Sequence, residues 1–296
     1  MGHSLLWTGE FSEARAHYDK GIMLYDACEH RPLAMRFGQD SRVAILGLGA
    51  LALWVLGYPA RAEGEAEQAV SDAREIGLAG TLMFALSVTS LLYLVDRNST
   101  IATAQAGELC SLADEKGALL WRANGTIFQG RLLAIGDQPG DAIHLLSSGI
   151  EAFHSTGSTV FTPTYLSYLA EAHTKVGQFN EAWRCMEKSM SLMETNKETW
   201  SAAEVHRVAG EIALMSPRPD TARAEAYFER ALEIARAQQA RSWELRAATS
   251  LARLWRDQGW RAEAHDRLAP VYGWFTEGFD TLDLKEAKTL LGELAS

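Results

Sequence analysis

Eight histidines and three cysteines are the side chains of this chain best suited to bind a metal or attack an electrophile, and their spacing favours neither. A zinc hydrolase needs two histidines one helical turn apart, and a zinc knuckle needs cysteines close together. No H-E-x-x-H, no H-x-E and no histidine pair at helical spacing occurs in the sequence. Cys28, Cys110 and Cys185 are odd in number and far apart, so neither a metal site nor a disulfide framework is signalled. Such usage suits a reduced, cytoplasmic compartment. The sequence has no G-x-S-x-G elbow and no G-x-x-x-x-G-K-[ST] phosphate loop. Carboxylate pairs such as Glu63 with Glu67 fall on outer, charged faces, where they are solvated. No catalytic residue, metal or cofactor is expected.

One stretch does carry a cofactor-like spacing. Val43–Ala60, "VAILGLGALALWVLGYPA", is uncharged and contains Gly47-x-Gly49-x-x-Ala52. It has three readings: a membrane span, a dinucleotide-binding loop, or one buried helix of a larger array. A span needs about twenty apolar residues, and Pro59 with the three glycines leaves about sixteen. A pyrophosphate loop needs a preceding strand and free N–H groups at a helix start. Which reading holds depends on the elements around it.

Those elements repeat. "GEFSEA" at Gly9–Ala14 matches "GQFNEA" at Gly177–Ala182, and "GYPARA" at Gly57–Ala62 matches "GWRAEA" at Gly259–Ala264. Each is a glycine, a short turn, then an alanine opening an apolar-periodic run. The alignment gives Ala14, Ala62, Ala102, Ala142, Ala182, Ala224 and Ala264, spaced by 48, 40, 40, 40, 42 and 40 residues. Four and seven residues after the alanine a larger and a smaller residue often follow on one helix face, as in Met186 and Ser189 or Phe228 and Ala231. An earlier helix ends at each turn, as in "TYLSYLAEAHTKVG" and "ELRAATSLARLWRDQG". Glycine stops it because it accepts the left-handed backbone. Arg97 stands where one turn glycine is expected, and "SPRPDTA" replaces another. The expected fold is all-α: an α-solenoid of about seven helix–turn–helix units over residues 1–296. In this register Val43–Ala60 is a first helix ending at Gly57, so its glycines serve close packing.

The small residues Ala170, Gly210 and Ala252, the turn glycine and the aligned alanine resemble tetratricopeptide repeats, with about 40 residues in place of the usual 34. The resemblance implies a right-handed superhelix whose first helices line a concave face. In that register the face presents Glu171, Thr174 and Lys175, then Glu204, Arg207 and Glu211, then Arg246, Arg253, Arg256 and Asp257. Earlier units present Leu51, Trp54, Phe84 and Leu91, so one end is apolar and the other charged. Arginine forks suit carboxylates, which points to an acidic peptide tail or a mixed-charge helix. The alternative is pairing of these arginines with Glu204 and Glu211 inside the chain.

"SWELRAATSLARLW", "LAPVYGWFTEGFDTLDLKEA" and "EHRPLAMRFGQD" resemble a further group. This is the carboxy-terminal repeat region of bacterial signalling proteins that join a class III adenylate/guanylate cyclase domain to an AAA-type ATPase. The resemblance implies a regulatory array whose catalytic residues lie upstream, outside this chain. Two functions are therefore expected: binding of a protein or of another domain of the parent, or sensing of a small-molecule effector. A net charge of −10 disfavours nucleic acid, and no membrane partner is expected. The array starts in mid-repeat, so the apolar residues Leu5, Leu6 and Trp7 are expected to be uncapped and to promote self-association. A capping helix is expected at about 281–295, with Leu284, Ala287, Leu291 and Leu294 inward and Lys285, Glu286, Lys288 and Glu293 outward.

Overall fold

The computed structural model describes residues 1–295, and these are helical with no strand. Two helices, α1 (Gly2–Trp7) and α2 (Phe11–Leu24), precede two short ones, α3 (Ala27–His30) and α4 (Ala34–Phe37), joined by a 3-10 turn. Six hairpins follow. They are α5 (Ser41–Val55) with α6 (Pro59–Ile76), α7 (Ala79–Val95) with α8 (Ser99–Lys116), and α9 (Leu119–Ile135) with α10 (Pro139–Ser155). Then come α11 (Thr162–Lys175) with α12 (Phe179–Asn196), α13 (Ala202–Met215) with α14 (Thr221–Ala237), and α15 (Arg241–Asp257) with α16 (Arg261–Tyr272). The last helix is α17 (Leu282–Ala295). The architecture is a tetratricopeptide-like α-solenoid.

The repeat register explains the packing. All seven aligned alanines are buried, at 0–1 % exposure. So are the residues four positions on: Tyr18, Ala66, Ala106, Leu146, Met186, Phe228 and Leu268. A methyl at one position and a larger group one turn later let a second helix sit close to its first and fill the space between them. Gly9, Gly57, Gly177 and Gly259 turn with φ between 76° and 93°. Where glycine is missing, Arg97 and Asp137 take the same left-handed backbone, at φ 65° and 67°. Each costs about 1–2 kcal/mol, which the buried hairpins on either side offset. The "SPRPDTA" turn works differently: the Asp220 carboxylate accepts the Arg223 N–H at 2.9 Å and caps α14. Val43–Ala60 supplies most of α5, the Gly57 turn and the start of α6, and no described helix is long and apolar enough to cross a membrane.

The chain forms two compact units. The first comprises Met1–Leu6, Ser12–Trp54 and Ala60–Val160. Its start is fixed by Asp40, which is fully buried. The Asp40 carboxylate accepts the Arg42 and Val43 N–H groups, capping α5, and the Tyr25 hydroxyl donates to it at 2.8 Å. The Arg15 guanidinium bridges Asp19 and Glu65 beside Gly49. Met23, Leu24, Met35 and Phe37 are 66–78 % exposed, around α3 and α4.

The second unit comprises Phe161 onward with two early segments, Trp7–Phe11 and Val55–Pro59. The Trp7 carbonyl accepts the backbone N–H groups of Thr199 and Trp200, at 2.8 and 3.1 Å. The Thr199 hydroxyl donates to the Thr8 carbonyl at 2.8 Å. The Trp7 ring stands edge-on to Phe161, 4.6 Å between centroids. Tyr58 packs likewise on Trp274, at 5.5 Å. Leu6 is fully buried and Leu5 half-buried. The expectation of an uncapped apolar start is corrected at Leu6, which the chain itself buries; Leu5 and Trp7 are half-buried.

Candidate interaction face of the second unit

The first helices α11, α13, α15 and α17 are successive neighbours. Along each, charged residues recur three, four or seven positions apart, which keeps them on one face. On α13 these are Glu204, Arg207 and Glu211; on α15, Arg246 and Arg253, with the polar Ser250 between them; on α17, Asp283, Glu286 and Glu293. Neighbouring helices bring the rows side by side, as a ladder of pairs.

Arg207 is its centre. Its Nε and Nη2 donate to the two oxygens of Glu204 at 2.8 and 2.9 Å, a two-pronged pair. Its Nη1 donates to Glu211 at 3.1 Å, and the Ser250 hydroxyl donates to the same carboxylate at 2.6 Å. Arg246 reaches both ways, to Glu204 at 3.5 Å and to Asp283 of α17 at 2.7 Å. Burial alone would lower the pKa of Arg207, but Glu204, Glu211 and Glu171 outweigh it and hold the group above its ordinary value. Arg246 is raised in the same way, burial being outweighed by Asp283 and Glu204.

The ladder is graded. Arg207 and Glu204 are 15 % and 13 % exposed, and Arg246 and Asp283 are 11 % and 13 %. At its other end Arg253 pairs with Glu286 at 2.8 Å, at 42 % and 29 % exposure. Arg256 pairs with Glu293 at 2.6 Å, at 31 % and 50 %. Buried pairs fix geometry because breaking one strands a charge, whereas exposed pairs exchange with solvent at little cost.

Of the residues singled out in the sequence, Glu204, Arg207, Glu211 and Arg246 therefore meet in one network, and Arg253 and Arg256 form separate pairs between α15 and α17. Glu171 contributes to the field at Arg207. Lys175 is exposed at the end of α11. Trp54 and Phe84 belong to the first unit. Trp54 is 2 % exposed and its indole N–H donates to Asp96 at 2.8 Å, making it a core group. Phe84 is half-buried, edge-on to Trp121. Sequence reasoning had pointed Glu286 and Glu293 at solvent and missed Asp283 and Ser250 as members. A faint signal exists: Arg246 to Asp283 and Arg256 to Glu293 are both 37 residues apart.

Among the described residues, no group of three or more His, Cys, Asp or Glu side chains is placed to hold a metal. A shallow cavity of about 280 Å³ lies in the first unit, where the ends of α6 and α8 meet the start of α7. It is lined by Leu78, Leu82 and Leu112 with Arg74, Glu115 and Lys116.

No protein-family model matches the chain, and no curated protein matches it. Solved structures do. One is a Rap protein complexed with competence and sporulation factor: TM-score 0.69 at 14 % identity, over 99 % of this chain and 85 % of that one. Another is yeast Tom70: TM-score 0.51 at 12 % identity, over 96 % of this chain and 58 % of that one. Both are tetratricopeptide-like helical repeat proteins, and the likeness is one of fold.

Proposed function

We propose that this chain is a non-catalytic interaction region that binds a protein or peptide segment on the face of α11, α13, α15 and α17. The observation that carries this reading is the graded ladder. Its buried end, Glu204, Arg207 and Arg246, holds the helices in register. Its more exposed members, Arg253 and Arg256 with Glu211, Glu171 and Lys175, offer charged groups on a rigid support, where partner contacts cost little ordering. The fold likeness to a Rap protein solved with a bound factor supports the reading. The motifs shared with cyclase–ATPase signalling proteins make upstream domains of such a parent the natural source of the partner. The role is then regulatory, and the compartment cytoplasmic.

A random dodecapeptide display library selected on the full chain tests this. Enriched peptides should lose binding to the Arg253→Glu/Arg256→Glu variant, with the melting temperature nearly unchanged, and keep binding to Glu187→Lys on the outer helix α12. Peptides indifferent to the arginine reversal would overturn the assignment of the face.

A further inference from the structure

We infer that α17 is a built-in competitor for the binding face: Glu286 and Glu293 occupy Arg253 and Arg256 in place of an acidic partner segment, and binding requires their exchange. This rests on the reading of the first-helix face given above and adds the chemistry of the partner and the device that sets its affinity.

Three observations combine. First, α17 is anchored independently of its charges. Leu284, Ala287, Leu290 and Leu294 are 7 % exposed or less and belong to the core shared with α15. The helix therefore stays in place when its carboxylates let go. Second, the pairs it makes fall into two kinds. Arg246–Asp283 is desolvated and fixed, whereas Arg253–Glu286 and Arg256–Glu293 are a third or more exposed at one partner or both. Only the second kind is open to exchange, because an incoming carboxylate reaches the guanidinium from water. Third, the two exposed arginines are held differently: Arg253 reaches Glu286 through Nη2, whereas Arg256 reaches Glu293 through Nη1 and Asp257 through Nε. A guanidinium accommodates two carboxylates, so an acidic segment can bind at Arg253 before Glu286 leaves, and at Arg256 it takes the place of Glu293 or Asp257.

The partner is thus a glutamate- or aspartate-rich segment, helical or extended. The chain carries −10 overall, so long-range attraction does not deliver it. Recognition is local, and α17 raises its threshold.

The test uses the full chain and a fluorescein-labelled Glu/Ala dodecapeptide, followed by fluorescence anisotropy at low and physiological salt. Glu286→Gln/Glu293→Gln should bind the peptide roughly three- to tenfold more tightly than the wild type. Arg253→Gln/Arg256→Gln should lose binding. Glu187→Gln/Glu194→Gln on α12 makes the same change in net charge at exposed sites and should leave the affinity as it is. Equal tightening by the α12 variant would overturn the inference, since the effect would then be overall charge. So would equal affinity of wild type and the α17 variant. If, in that case, library-selected peptides still depend on Arg253 and Arg256, the face stands and the competition falls. Circular dichroism melts of each variant establish that all are folded.

Discussion

Glu198 accepts the backbone N–H of Phe161 at 2.7 Å, and so a buried carboxylate pins a residue that itself holds the left-handed conformation, at φ 67°. Glu198 is 7 % exposed, and burial pushes its pKa up to about 7, against the pull of that N–H. The folded chain then binds the proton more tightly than the unfolded one, where glutamate titrates near its ordinary 4.5. Stability contributed here is full below that value and declines as pH rises towards about 7. Glu198→Gln keeps an acceptor without the charge. Its melting temperature should match the wild type near pH 4.5 and exceed it increasingly up to pH 8. A Gln variant that melts lower at pH 8 would contradict the assignment.

His206 works in the opposite direction. Burial, with Arg230 adding to it, lowers its pKa to about 4, and its Nδ1 is buried without a hydrogen-bond partner. The unfolded chain takes the proton first, so stability declines as pH falls from about 6.5 to about 4. His206→Phe should remove that decline. Between the two titrations the effects of Glu198 and His206 oppose each other. The wild type should therefore show a flatter melting profile from pH 5 to 6.5 than either single variant.

Gly210 is a place where the repeat tolerates nothing larger. A β-carbon there would overlap the ring of Phe228, which is fully buried. Gly210→Ala should destabilise the chain by about 1–3 kcal/mol. Gly64, inside α6 with open space around it, gives the contrast. Gly64→Ala should stabilise by about 0.5–1 kcal/mol, through helix propensity alone. Urea titrations of the pair separate packing from propensity.

The two ends of the arginine ladder should respond differently to truncation. Arg207→Ala takes the two-pronged partner from the mostly buried Glu204 and should cost about 3–5 kcal/mol. Arg253→Ala and Arg256→Ala should cost about 0–1 kcal/mol each. Similar losses at both ends, measured by chemical denaturation, would remove the gradient on which the binding face depends.

The repeat was legible because packing at the hairpin is local: Ala182, Met186 and Ser189 meet a helix that starts 20 to 27 residues before them. The turn glycines were legible for the same reason, and even Arg97 marked its turn by position. The partner of each arginine was not. Helical periodicity places Arg253 and Arg256 on a face, but which carboxylate stands opposite depends on the step between neighbouring first helices. Glu286 and Glu293 therefore read as solvent-facing. The seat of Trp7 was hidden more completely, because Thr199 lies almost two hundred residues away and no period connects them. The exposed apolar residues near α4 were hidden too, since "PLAMRF" has the composition of a buried segment.

Repeat arrays usually gain stability from nearest neighbours alone, and can fray one repeat at a time. The hydrogen bond from Thr199 to Thr8 joins positions 191 residues apart and changes that behaviour. A unit with residues 7–11 and 55–59 in its own packing cannot be completed from its carboxy-terminal repeats. During synthesis its earliest pieces must wait for the last ones, and this long closure slows folding. Once formed, it should unfold as one cooperative event. A truncation beginning at Phe161 deprives the Thr199 and Trp200 N–H groups of their acceptor, so shortening the chain at its amino end weakens the repeats at its carboxy end.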